Sequence, residues 1–135
     1  MSDPPLADFL RREHGRLDEL LGRVFGAAHA GALQAACDAA RAFDEELRRH
    51  TADEEQRLLP AAAGRKLLPG EEESDRERLG RELRLEHVQI RELAAMLRNL
   101  LGKGELPGAE RIAANLARRW DAHTAREEKI LGELS

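Results

Sequence analysis

The chain has 135 residues, which suits one domain with one full core, so we predict a single domain over residues 1–135. Charged residues make up 36% and aromatic residues only 3%, a composition that favours helices with solvated outer faces. A net charge of -4 gives no reason to expect nucleic acid or a membrane as partner, and no apolar run approaches the roughly 20 residues of a membrane span. With one cysteine, Cys37, and no signal-peptide pattern, the chain is predicted to be cytoplasmic.

The first two predicted helices each carry a histidine in an apolar stripe. Asp3-Pro4 is a helix-start signal, and apolar spacings of three and four predict a helix over 4–28. After a turn at Ala30-Gly31, a second helix is predicted over 32–59, and 60–70 is predicted to be a connection in which 61–68 could add a helical turn. The two stripes consist of Leu10, His14, Leu17, Leu21 and Val24, then Ala36, Ala40, Phe43, Leu47, His50, Glu54 and Leu58.

The second half of the chain repeats this arrangement. Ser74 and Glu77 match a capping box that predicts the start of the third helix, and a glycine-rich loop over 102–108 precedes a fourth helix over 108–133. Four amphipathic helices of about 25 residues with short connections predict an all-α, up-down-up-down antiparallel four-helix bundle. The stripes consist of Leu79, Leu83, His87, Ile90, Ala94, Leu97 and Leu101, then Ile112, Leu116, Trp120, His123, Glu127, Ile130 and Leu134.

Two nearly identical stretches, HTADEE from His50 and HTAREE from His123, reveal an internal repeat of 73 residues. Each stretch places a glutamate four residues after the histidine, so both side chains lie on one helix face. A Glu-His pair precedes each stretch at the same distance. His14 lies 36 residues before His50, and His87 lies 36 residues before His123. Twin halves of this kind are what a two-metal centre with pseudo-twofold symmetry requires.

Six polar residues lie in core register, and in an antiparallel bundle these mid-helix positions meet at one level. A buried carboxylate without a partner is costly, so we expect the residues to converge on metal ions. Imidazole and carboxylate suit iron, manganese, zinc or nickel. Two carboxylates could bridge two metals, and with one oxo or hydroxo bridge each metal would have about five ligands and an open position for O2, NO or peroxide. The six predicted metal ligands are His14, His50, Glu54, His87, His123 and Glu127.

Simpler interpretations exist for each feature alone. A single histidine in a stripe is usually a core residue, and one His-x-x-x-Glu pair is usually an ordinary boundary pair. The conjunction of four histidines and two carboxylates in one register favours a metal site, which could still be purely structural. Ferritin-type spacing does not occur at these histidines, and HExxH is absent. His29 is predicted to be a helix-end histidine, and Trp120 a core residue that could also wall a ligand pocket.

The set of one histidine per helix, with two glutamates, resembles the hemerythrin-like (HHE cation-binding) family. This resemblance implies a non-haem di-iron centre with an oxygen bridge, in which manganese or zinc could replace iron. The oxygen-carrying hemerythrins have a second histidine where this chain has Arg91, and an aspartate five residues after the last histidine, where this chain has Glu128. The set is closer to the di-iron domain of bacterial repair-of-iron-centres proteins.

The prediction is therefore a non-haem di-iron protein that binds or reacts with O2, NO or peroxide in oxidative or nitrosative stress or iron handling. The alternative is a non-enzymatic metal-binding sensor, or a reservoir of iron or diatomic ligand, that acts through a protein partner the sequence does not identify. Whether the chain is an enzyme stays open. Arg91 and Asp18, which are counterparts in the repeat, could pair across the bundle above the metals, or both could point to solvent.

Overall fold

A computed structural model describes residues 5–65 and 67–134. Four long helices form a closed ring in which α1 packs on α2 and α5, and α4 packs on the same two helices. Within the described residues the secondary structure is helical and no strand is present. The predicted all-α four-helix bundle is therefore confirmed. The helices are α1 (Leu6–His29), α2 (Leu33–Asp53), the short α3 (Leu59–Gly64), α4 (Glu73–Gly102) and α5 (Leu106–Leu134).

The junction between α2 and α3 differs from the prediction. A π-helical turn over Glu54–Leu58 follows α2 directly, and the backbone N–H of Leu59 donates to the carbonyl of Glu54, five residues earlier. The helical path then continues through Pro60 to Gly64, where a connection was predicted. A proline ring clashes with the carbonyl four residues before it in a regular α-helix, and the wider π turn relieves that clash.

Most other helix ends agree with the prediction to within two residues. The predicted start at Asp3-Pro4 lies outside the described residues, and α5 begins at Leu106 rather than at 108. The capping box exists, but Glu72 and Asp75 form it in place of Ser74 and Glu77. Asp75 accepts a hydrogen bond of 2.9 Å from the backbone N–H of Glu72, so the helix begins two residues earlier than the predicted cap implies.

Two hydrophobic clusters fill the bundle and leave a polar layer between them. The larger cluster extends from Leu17 and Leu47 to the far ends of α1 and α2, and includes Trp120. The smaller cluster contains Leu10, Leu58 and side chains from α3, α4 and α5. His14 lies about one helical turn after Leu10, in the smaller cluster, and about one turn before Leu17, in the larger one. The layer that contains the histidine therefore lies between the two hydrophobic clusters.

Within residues 5–65 and 67–134, no helix combines the length and the apolar character that crossing a bilayer requires.

Candidate metal centre

The six residues predicted as metal ligands lie together in the middle of the bundle. His14 is on α1, His50 on α2, His87 on α4 and His123 on α5, each in the buried stripe of its helix. Glu54 opens the π-helical turn and Glu127 lies one turn after His123 on α5. Glu54 and Glu127 are fully buried, three of the histidines are 1–2% exposed, and His14 is 7% exposed.

The first position is the space bounded by His14, His50 and the two glutamates. Nε2 of His14 lies 3.0 Å from Oε1 of Glu127 and 3.4 Å from Oε2 of Glu54. Nε2 of His50 lies 3.1 Å from that same Glu54 oxygen. The two histidine rings are 4.7 Å apart, edge to face, so their Nε2 atoms converge on one point.

The second position is the space bounded by His87, His123 and the other oxygens of the same glutamates. Nε2 of His87 lies 2.9 Å from Oε1 of Glu54, and Nε2 of His123 lies 3.1 Å from Oε2 of Glu127. The rings of His87 and His123 are 4.8 Å apart, again edge to face. Each position therefore has two imidazole nitrogens, and both positions share Glu54 and Glu127.

The donor atoms fit metal ions better than they fit one another. Nε2 of His50, His87 and His123 and both oxygens of Glu127 are buried, yet they lack a well-aligned hydrogen bond among the described residues despite separations near 3 Å. Buried polar atoms normally find such partners, and unpaired ones are costly. Atoms that are close but misaligned have their lone pairs aimed at a common space. A cation in that space would satisfy them.

Carboxylates from neighbouring helices orient three of the four rings through their Nδ1 atoms. Because an ionised carboxylate can only accept, Nδ1 of each ring carries the proton, and the lone pair of the neutral ring lies on Nε2. Metal-binding histidines commonly have such a partner, which fixes the tautomer and raises the basicity of the ligand nitrogen. The contacts are His50 to Glu13 at 2.8 Å, His87 to Glu55 at 3.0 Å and His123 to Glu86 at 2.7 Å.

Without a metal the centre balances its charge with protons. Burial by itself lowers the pKa of His14, but contacts with Glu127 and Glu54 outweigh burial and raise this pKa to about 9. Burial is likewise outweighed by contacts with the same glutamates at His87, whose pKa rises to about 9, and at His123, whose pKa rises to about 10. Burial by itself raises the pKa of Glu54, but contacts with Glu127 and the histidines hold it well below its ordinary value. Metal ions would take the place of these protons.

Trp120 closes one side of the cluster and resolves the role of Asp18. The indole ring is 1% exposed and lies 5.6 Å from the His14 ring and 5.8 Å from the His50 ring, centre to centre. Its Nε1–H donates to Oδ1 of Asp18 at 2.6 Å. Among the described residues Asp18 makes this contact in place of the pairing with Arg91, which is exposed on α4. A buried indole N–H needs an acceptor, and Asp18 satisfies it.

The comparisons with known proteins agree with this geometry. A family model described as the hemerythrin HHE cation-binding domain matches residues 6–134. The chain belongs to the hemerythrin family. A comparison with curated proteins and one with solved structures each gave no significant match. This hemerythrin domain accordingly binds metal cations, and its clusters of histidine and glutamate are placed to hold them.

The carboxylates on Nδ1 are the site feature of this hemerythrin domain that the sequence reasoning missed. Glu13 and Glu86 each precede a site histidine, but each contacts a histidine of the next helix instead. Their recurrence at the 73-residue period was the available signal. The fifth histidine and the single cysteine lie away from the centre: His29 is exposed at the end of α1, as predicted, and Cys37 packs against the larger cluster.

Proposed function

We propose that this hemerythrin domain is a non-haem di-iron protein that binds or reacts with O2, NO or peroxide. The observation that carries the proposal is the pair of overlapping donor groups that share Glu54 and Glu127. Two shared carboxylates suit two metal ions held side by side. In the proposal, His14 and His50 serve one iron, His87 and His123 serve the other, and an oxo or hydroxo group completes the bridge.

The donor set favours iron or manganese over a structural zinc ion. Each position has two nitrogens and a share of two carboxylates, with no sulfur donor in either described group. Structural zinc sites are usually closed by four protein ligands, often including cysteine. Iron accepts a fifth and a sixth ligand, and it would supply the electrons and the open position for a small ligand.

The protein's own contribution is to hold, orient and dry the centre. Glu13, Glu55 and Glu86 keep the Nε2 lone pairs directed inward. Trp120 on one side and Leu10 and Leu58 on the other exclude water, since all three side chains are 0–1% exposed. A dry shell of this kind controls which ligands reach a metal and sets its redox potential.

Metal content of the full chain tests the proposal directly. Protein made in iron-replete cells without added metal is expected to carry two iron ions per chain by mass spectrometry. His87→Gln should reduce the iron content, whereas His29→Gln, the same change at an exposed histidine, should leave it unchanged. One zinc ion per chain, or no retained metal, would overturn the di-iron proposal.

The reaction with small ligands then separates catalysis from binding. Iron-loaded protein mixed with excess NO or peroxide should consume the ligand over many turnovers if the chain is an enzyme. Stoichiometric binding of the ligand without turnover would indicate that the protein is a sensor or a reservoir. Optical spectra of the iron centre follow the binding, and electrodes for the two ligands follow their consumption.

A further inference from the structure

The two proposed metal positions differ in the support that their histidines receive. In the second position both rings donate from Nδ1 to a carboxylate, His87 to Glu55 and His123 to Glu86. In the first position only one ring does so, His50 to its carboxylate on α1. The 73-residue repeat would have made the two positions alike, so the tertiary structure breaks a symmetry that the sequence contains.

The missing partner of His14 is present but bound elsewhere. Glu128 is the counterpart of Glu55 in the repeat, and both follow a site glutamate directly. Arg11 holds Glu128, with Nε donating to Oε1 at 2.8 Å and a second guanidinium nitrogen 2.7 Å from that oxygen. No residue among 5–65 and 67–134 hydrogen-bonds Nδ1 of His14.

A backbone difference accounts for the different behaviour of the two glutamates. Glu55 lies in the π-helical turn, whereas Glu128 lies in the uninterrupted α-helix α5. The wider π turn presents its side chains at a different angle from a regular α-helix, and such turns are frequent at functional sites. Arg84, the counterpart of Arg11, is exposed, and Glu55 contacts the ring of His87 instead of that guanidinium.

The first position is also closer to solvent. His14 in the first position is 7% exposed, against 1% for His87 and 2% for His123 in the second. An open groove of about 440 Å³ between α1 and α5 is lined by His14, Gly15 and Glu128, among others. A small ion or molecule can therefore approach the first position along this groove. A smaller groove of about 320 Å³ between α4 and α5 touches His123 of the second position, but His123 is more deeply buried than His14.

A contact of Arg126 weakens the support that His123 receives in the second position, but it does not remove the difference between the two positions. Arg126 binds Glu86 and Glu82, and it draws negative charge away from the partner of His123. The contact between His123 and Glu86 nevertheless persists at 2.7 Å, shorter than the other two contacts of this kind. The ring of His14 lacks such a contact altogether. Its Nδ1 therefore has neither a carboxylate charge beside it nor a hydrogen bond that fixes the tautomer.

We propose that the two metal positions have unequal affinities, because Arg11 withholds Glu128 from His14. The second position, at His87 and His123, fills first and retains its metal. The first position, at His14 and His50, fills last and exchanges its metal through the groove between α1 and α5. This inference rests on the proposed function, since it requires that the six residues bind two metal ions.

Removal of one such outer partner typically lowers metal affinity 10- to 100-fold. Metal-free full-length protein titrated with Co²⁺ against a competing chelator should therefore show two binding steps whose dissociation constants differ by about 10- to 100-fold. The visible absorption of bound Co²⁺ reports each step separately. Pre-loaded protein should also release one Co²⁺ to the chelator faster than the other.

Three variants test the cause. Arg11→Gln frees Glu128 to reach His14, so it should lower the dissociation constant of the weaker Co²⁺ step and bring the two constants closer together. Glu55→Gln should raise the dissociation constant of the tighter Co²⁺ step, which also brings the two constants closer together. Arg84→Gln removes the counterpart arginine of the repeat at an exposed place and should change neither step. Circular dichroism confirms that each variant is folded.

The outcomes separate this inference from the proposed function. Two Co²⁺ ions that bind with equal affinity would overturn the inequality while leaving a two-metal centre. If Arg11→Gln left the ratio of the two Co²⁺ dissociation constants unchanged, the role of Arg11 and Glu128 would be overturned. Failure to bind Co²⁺ at all would overturn the two-metal proposal itself. Two steps that respond to Arg11→Gln and Glu55→Gln as described would support the inference.

Discussion

Glu54→Gln is the most informative single change at this centre. The Glu54 side chain is fully buried, and its two oxygens lie between 2.9 and 3.6 Å from Nε2 of all four histidines. Glutamine keeps the volume but removes the negative charge, and its NH2 group would face imidazole N–H groups. The variant therefore isolates the charge of Glu54 from its packing.

The expected destabilisation of the metal-free protein is about 3 kcal/mol, because breaking a buried ion pair by removing one partner costs roughly 3–5 kcal/mol and the amide oxygen still accepts one hydrogen bond. For a chain of this size that corresponds to a fall of about 10 °C in the melting temperature. The loss should be largest below pH 7, where the histidines are charged, and should shrink toward pH 10 as they become neutral.

Thermal and urea unfolding of the metal-free protein measure this loss. Glu45→Gln is the matched control, since Glu45 is exposed on α2 and the same change there should stay within about 0.5 kcal/mol. Iron content should also fall, because both positions share the lost carboxylate. A Glu54→Gln protein that unfolds like the wild type from pH 6 to 9 and retains two iron ions would refute the reasoning.

Four further predictions concern the pH dependence of stability, the pH dependence of metal retention, the access of small ligands and the packing of Trp120. Because the folded-state pKa values of His14, His87 and His123 are raised from 6.5 to about 9 or 10, the stabilisation of the metal-free protein by their charged forms should be complete below pH 6.5 and be lost as the pH rises through 9 to 10. Metal retention should change in the opposite direction and fall as the pH is lowered, which dialysis at fixed pH values followed by metal analysis would measure. Gly15→Leu fills the groove beside the first position, where an added Cβ meets no atom within 4 Å, and should slow NO binding to iron-loaded protein in stopped-flow traces. Gly22→Leu, equally unobstructed on the same helix, should leave that rate unchanged, and equal rates in both variants would exclude this route. Trp120→Phe removes the hydrogen bond to Asp18 and leaves an unfilled space, so urea unfolding should show a loss of about 2 kcal/mol, and no loss would mean that this bond contributes nothing.

The level at which the ligands lie in the bundle could be predicted from the sequence because helix periodicity is a local property. Each histidine recurs with leucines at spacings of three and four, so its place in a buried stripe follows from the chain alone. The repeat then implied that the four helices contribute equivalent residues at one height. The structure places His14, His50, His87 and His123 together with Glu54 and Glu127, as those arguments expected.

The partners of these residues were decided only by the tertiary structure. Neighbours on a helix point about 100° apart, so Glu13 cannot share the direction of His14 and instead reaches His50 on the next helix. The π-helical turn precedes Pro60 and has no counterpart in α5, where Glu133 stands at the equivalent place, although the HTADEE and HTAREE stretches themselves differ by one residue, Asp53 against Arg126. Whether a carboxylate binds a ring or an arginine is a competition between contacts on different helices. Local sequence determines which face each side chain lies on, and only the assembled bundle brings the competing partners within reach.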